Sequence, residues 1–215
     1  MGTPIRVDFI SDVVCPWCAI GLGALEQAIQ RLAGEIVIEL NFEPFELNPT
    51  MPPDGQNAVQ HIMQKYGSTA SDIQRGQQSI RSGGNSVGFH FDFDKRTHFY
   101  NSFDAHRLVF WAGVERLQLP LYQKLLSAYF SEGQDISSHE TLASIAGSVG
   151  LSEENAYKVL SSNLYVDEVR ERELYFTNRG IHAVPAVVLN GQQIFTGAQS
   201  VDYYEQLLRK AAGQQ

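Results

Sequence analysis

Along the first 45 residues the spacing of apolar positions changes twice. Ile5, Val7 and Phe9 alternate with Arg6 and Asp8, the two-residue period of a strand. From Pro16 to about Ala33 the apolar residues recur three and four apart, through Leu22, Leu25, Ile29 and Leu32, which is the buried stripe of a helix. Gly34 is placed to end it. Alternation returns in Ile36, Ile38, Leu40 and Phe42. Strand, helix and strand in that order predict a βαβ unit.

A Pro-rich connection occupies 46–57, and from there to about residue 179 the pattern is helical. Helices are predicted near 58–66, 70–82, 98–117, 121–131, 138–149, 153–161 and 163–178. Ser137 with Glu140 fits a capping box, and Gly150 before Ser152 fits a stop and a new start. The stretch at 81–94, Gly-rich and then aromatic, reads as an irregular loop. Beyond residue 180 an apolar run, an Asn190-Gly191 turn and a second short run predict a hairpin with a two-residue connection. Val201, Tyr204, Leu208 and Ala211 then fall on one helical face. The two ends, βαβ and ββα, predict one small mixed sheet. The chain thus divides into 1–57 with 180–215 as one domain and 58–179 as a helical insertion.

Composition and charge narrow the function. A chain of 215 residues with 43% hydrophobic and 19% charged residues buries a sizeable core. A net charge of −8 argues against nucleic acid or an anionic membrane as the main partner. The apolar runs fall well short of the ~20 residues of a spanning helix. The start, "MGTPIRVDFISD", lacks a basic region followed by a long apolar stretch, so the expected location is cytoplasmic.

That location bears on "SDVVCPWCAIGLG" at 11–23, which holds Cys15 and Cys18, the only two cysteines. In a reducing compartment a CxxC pair points to catalysis, redox sensing or metal capture rather than to a structural staple. Closing so short a loop also removes little unfolded-chain entropy. A structural zinc site needs four ligands and one such pair supplies two, so no metal is expected. Cys15 sits where the helix begins, and the positive end of the helix dipole is expected to lower its pKa from the ordinary ~8.5. Pro16 suits the first helical position. Cys18, one turn in, is expected to be more buried and more thiol-like. Cys15 then attacks a sulfur and Cys18 resolves the mixed disulfide. With no histidine between the cysteines, the expected potential lies in the reducing-to-middle part of the range of about −270 to −120 mV. A second signal is "GIHAVPAVVLNG" at 180–191. Pro185 marks the first residue or the edge of a strand. A cis Val184-Pro185 bond would present the Val184 backbone to an extended substrate beside Cys15, and the residues alone leave cis and trans open.

"SDVVCPWC", "NSFDAHRL" and "AVPAVVLNGQQIFTGAQS", in that order and with a resemblance covering nearly the whole chain, resemble DsbA-like thioredoxin-fold proteins of the FrnE type. The resemblance implies an α/β chain with a thioredoxin-like fold (βαβ…ββα) and a large all-helical insertion. It implies a dithiol–disulfide oxidoreductase or isomerase with Cys15 as nucleophile, Cys18 as resolving thiol, Pro16 and Trp17 completing the motif, and Val184-Pro185 as a cis-proline dipeptide facing it. Ala19 stands where an aromatic residue is common in this group, and Ala183 where glycine is frequent. Without further cysteines, electrons must come from a small thiol, glutathione being one candidate, or from another protein. No bound cofactor is expected beyond the redox-active disulfide. The expected partners are a disulfide-containing protein or a small-molecule thiol, with a homodimer left open.

Phe99, Phe103, His106 and Phe110 fall at helical spacing, and Asp104 and Arg107 are placed for local charge pairs. Such a stripe is more often core than site. Phe103 and His106, with Phe45 at the end of the second strand, are nonetheless candidates for a substrate groove. An alternative reading is a glutathione-dependent enzyme like kappa-class glutathione transferases or 2-hydroxychromene-2-carboxylate isomerases. These typically carry serine at the first motif position and an Asp-Arg pair opening the last helix, where this chain has Cys15 and "GAQSVD". A non-enzymatic alternative is capture of a soft metal by the CxxC across a dimer.

Overall fold

The computed structural model describes residues 4–213. The chain runs β1 (Ile5–Ser11), α1 (Pro16–Arg31) and β2 (Ile38–Pro44), then β3 (Gln56–Asn57), α2 (Ala58–Tyr66), α3 (Ala70–Ser86), β4 (His98–Phe99), α4 (Phe103–Val114), α5 (Gln118–Phe130), α6 (His139–Ser148), α7 (Glu153–Leu160) and α8 (Val166–Asn178). It closes with β5 (Ala186–Leu189), β6 (Gln193–Thr196) and α9 (Val201–Ala211). The main sheet has the order β2-β1-β5-β6. β1 is parallel to β2 and antiparallel to β5, and β6 is antiparallel to β5. The first and last parts of the chain thus build one mixed sheet.

Alternation along the strands sorts the core into two clusters. Val7, Phe9, Val187 and Leu189 point into the larger one with Leu25 of α1 and Tyr204 and Leu208 of α9. Ile10, Ala186 and Val188 point the other way, onto Phe176 of α8 and Ile181. The larger cluster also contains Leu108, Tyr122, Leu125, Tyr129 and Leu142 of the helical block. Phe42 of β2 stacks on Tyr122 of α5 with ring centroids 4.4 Å apart. The Gln118 side chain holds both backbone groups of Phe42: its Oε1 accepts from the Phe42 N–H at 3.0 Å and its Nε2 donates to the Phe42 carbonyl at 3.1 Å.

Several boundaries move from their sequence positions for local reasons. The helix expected over 98–117 begins only at Phe103, because Asn101 Oδ1 accepts from the Phe103 N–H and turns the chain, while His98 and Phe99 pair with Gln56 and Asn57. α5 starts before Pro120 because a missing N–H costs nothing in a first helical turn. α6 is capped by Ser138, whose hydroxyl accepts from Thr141 N–H, while Ser137 instead bonds Asp135. α3 runs on to Ser86, through what reads as loop at 81–86. Gly84 permits this: a Cβ there would lie 2.6 Å from the Phe91 ring. Asn190 and Gly191 both take positive φ, and with Gln192 they form a three-residue hairpin connection rather than two.

Candidate active site

β1 delivers the chain to a tight turn in which the Cys15 N–H bonds the Asp12 carbonyl at 3.0 Å. Cys15 is the N-cap residue of α1 and Pro16 its first helical residue, with no acidic side chain in the first turn. Both cysteines are free thiols. Cys18 is sealed at 0% exposure, and Cys15 is itself 3% exposed, more enclosed than a helix-start position suggests. Trp17 between them is 43% exposed. Burial, and then the adjacent Cys15 sulfur, hold the Cys18 thiol well above its ordinary pKa.

The Val184–Pro185 peptide bond is cis. Cys15 Sγ donates to the Val184 carbonyl at 3.7 Å, so the dipeptide lies directly across from the motif. Gly21 allows α1 to lie this close, since a Cβ there would sit 3.1 Å from Pro185 Cγ. Phe45 is half-buried in the smaller cluster, which Val184 also joins.

Behind the cysteines lies a group of polar side chains, of which the sequence pattern singles out only His106, and that as a groove candidate. Asp12 is fully buried, and its Oδ2 accepts from the Leu47 N–H at 2.7 Å while its Oδ1 accepts from the Val14 N–H at 3.3 Å. His106 Nε2 lies 3.3 Å from the same Oδ1. Burial alone would lower the His106 pKa. The Asp12 hydrogen bond and charge, with Glu173 and Glu46 behind them, outweigh burial and raise it. Glu46, its own pKa raised chiefly by burial, pairs with Arg170, which also bonds Glu173 at 2.7 Å. The hydroxyls of Ser11 and Tyr122 are buried and make no hydrogen bond of good geometry, although they lie close enough to interact. Tyr122 also feels the charges of Cys18, Asp12 and Cys15, and burial drives its pKa well up.

The candidate groove residues therefore separate. Phe45 packs on the same small cluster as Val184 of the cis-proline dipeptide. Phe103 is half-buried with the Arg170 guanidinium 3.7 Å above its ring. His106, at 2% exposure, lines no open groove, because its helix face is pressed against the β1–α1 turn. Phe99 lies off the helix on β4, its ring 4.6 Å from that of His61, and Phe110 packs on Tyr165. Asp104 and Arg107 do pair, at 2.7 Å. Only the lone Asp12 in the apolar stretch before Cys15 hinted at the buried group, and its partner lies 94 residues away. Among the described residues, no three or more His, Cys, Asp or Glu side chains are gathered to hold a metal ion, and no helix is long and apolar enough to cross a membrane.

The family model of the DSBA-like thioredoxin domain matches residues 6–209. The chain belongs to the DSBA-like thioredoxin family. With that membership it is a thiol–disulfide enzyme of the oxidoreductase and isomerase class. The chain is similar to a probable DsbA oxidoreductase, SCO1869 of Streptomyces coelicolor: 28% identity, 98% of this chain and 91% of that one covered, TM-score 0.91. Two structures at 17% identity share the fold. A 2-hydroxychromene-2-carboxylate isomerase has a TM-score of 0.68, with 97% of this chain and 98% of that one covered. The cytosolic disulfide reductase DsbM of Pseudomonas aeruginosa, solved with GSH, has a TM-score of 0.65, with 95% and 98% covered.

Proposed function

We propose that this DsbA-family chain works as a FrnE-like dithiol–disulfide oxidoreductase or isomerase in the cytoplasm. Cys15 attacks a substrate sulfur as thiolate, and Cys18 resolves the resulting mixed disulfide. One observation carries the reading: Cys15 caps the amide end of α1 and faces the Val184 carbonyl across a cis-proline, while Cys18 lies sealed one turn behind it. A helix amide end favours an anion on the capping sulfur. A backbone carbonyl beside that sulfur offers an edge for an extended peptide bearing the target disulfide. Burial, with a smaller part from the Asp12 carboxylate, opposes thiolate charge on Cys18, which favours the oxidised pair and a reducing-to-middle potential.

Glutathione is the candidate electron donor, in keeping with the glutathione carried by the structurally similar DsbM. The cysteine at position 15 weighs against the isomerase alternative, whose relatives typically use serine there. The test is turnover of a protein disulfide such as insulin, and of glutathione disulfide, by the wild type, Cys15→Ser and Cys18→Ser. The expected result is loss of turnover by at least ~10³-fold in Cys15→Ser, with a trapped adduct on Cys15 in Cys18→Ser. Turnover that survives Cys15→Ser would overturn the assignment.

A further inference from the structure

A cleft along α1 lies apart from the dithiol site. Ala19, Leu22, Gly23 and Glu26 recur three and four apart, so they share one face of the helix. Gly21, which meets Pro185, turns to a different face, and neither cysteine lines the cleft. The facing walls come from the helical block: Val87 and Phe89 in the connection between α3 and β4, and Gln123, Leu126 and Ser127 of α5. The space between them is ≈ 520 Å³, within the range of about 300–1,000 Å³ that small-molecule sites occupy. The connecting wall is pinned. The Phe89 N–H bonds the Gly84 carbonyl at 2.8 Å, the Phe89 and Phe91 ring centroids lie 4.7 Å apart, and the Ser131 hydroxyl donates to the His90 carbonyl at 2.5 Å.

Glu26 sits in this cleft without a counter-charge. Its Oε1 accepts from Gln123 Nε2 at 2.5 Å, and its other oxygen makes no hydrogen bond among the described residues. Buried and half-buried carboxylates elsewhere have basic partners: Asp8 has Arg6, Glu43 has Arg172, Glu46 and Glu173 share Arg170, and Asp104 has Arg107. Asp135 lacks one, but its Oδ1 takes both the N–H and the hydroxyl of Ser137. Among the described residues Glu26 alone is left half-buried with a single neutral donor. Burial raises its pKa, against the smaller opposing effect of the Gln123 bond. A carboxylate so placed gains from a cation brought to it. The net charge of −8 attracts cations and repels anions. The apolar walls beside it call for a body as well as a charge.

We infer that this cleft binds a small amphipathic cation, an ammonium or guanidinium group carried on an aromatic or aliphatic body. Glu26 takes the charged head, with Gln123 fixing the orientation of its carboxylate. Leu22, Val87, Phe89 and Leu126 enclose the body. Binding here is non-covalent and needs neither cysteine.

The experiment titrates the full chain with tryptamine and with hexylamine and reads backbone amide signals by NMR. Both amines should bind saturably and move the signals of 19–26, 87–90 and 123–131. Tryptophol, which keeps the body and loses the charge, should bind about tenfold more weakly than tryptamine, a usual cost of losing a charged hydrogen bond. Indole-3-propionate and methylamine, one with the wrong charge and one without a body, should not saturate at millimolar concentration. Glu26→Gln keeps the side-chain shape, should weaken tryptamine by about the same factor and should leave tryptophol within about two-fold. Ser127→Phe places a ring in the cleft from a half-buried position and should abolish binding of every probe. The near-isosteric Glu26→Gln keeps the test decisive if Ser127→Phe folds poorly. Failure of both amines to saturate, signal changes that map elsewhere, or an unchanged tryptamine affinity in Glu26→Gln would each overturn the site and leave the dithiol reading standing.

Discussion

The two sides of the CPWC turn are built from different materials. On the outer side Cys15 meets main chain, the Val184 carbonyl, beside the cis-Pro185 ring packed against Gly21, and exposed Trp17 follows it in the chain. On the inner side Cys18 is sealed near Tyr122 and Asp12, with His106 on Asp12 and the Glu46–Arg170–Glu173 group beyond it. The two environments meet over a single helical turn. Backbone groups suit an extended partner whose side chains vary, because they bond any peptide alike. Charged and hydroxyl groups suit the handling of protons, and burial makes each of them electrostatically stronger than it would be in water.

The sharpest way to break this contrast is Asp12→Ala. It strips the Val14 and Leu47 N–H groups and His106 of their acceptor in a sealed site. A loss of about 3–5 kcal/mol is expected from urea unfolding, the usual cost of removing one member of a buried pair. A loss below about 1 kcal/mol would show that the inner side is not held by Asp12.

A smaller effect concerns pH. The folded-state pKa of His106 lies above its unfolded value, so the stability it contributes is fully present below about pH 6.5 and is lost as pH rises through the folded value. Urea midpoints measured from pH 6 to pH 9 should therefore decline more steeply for the wild type than for His106→Gln. Parallel curves would remove the imidazolium–carboxylate pair from the account.

The smallest stability effect is expected on the outer side. Trp17→Ala should change stability by no more than about 0.5 kcal/mol, as for other exposed positions. It should instead raise KM for an insulin-type disulfide substrate several-fold with little change in kcat. A large fall in Tm would mean that Trp17 serves packing rather than contact with a partner.

The sequence made the outer side readable and the inner side nearly unreadable. Cys15, Cys18, Pro16 and Pro185 are residue types whose chemistry or backbone limits announce themselves over a few positions. His106 is singled out in the sequence as a groove candidate, yet nothing local marks it as the partner of a buried carboxylate. On its helix it looks like one more member of an apolar stripe, and only the fold brings it to Asp12, 94 residues earlier. Tyr122 likewise reads as core, which it is, apart from its hydroxyl. The strands and most helices followed from their periods of two and 3.6. The errors gathered where side chains override periodicity: Asn101 turning the chain before α4, Ser138 rather than Ser137 capping α6, and the two-residue pairing of β3 with β4, too short to show a period.

A sheet that ends in an unpaired strand invites another chain to add to it. At Phe42 that invitation is withdrawn, since the carboxamide of Gln118 occupies both hydrogen-bonding directions of the outermost strand as a neighbouring peptide would. One glutamine from the helical block so guards this margin of the sheet. Growth by backbone pairing, whether useful or pathological, is turned toward the opposite margin at β6.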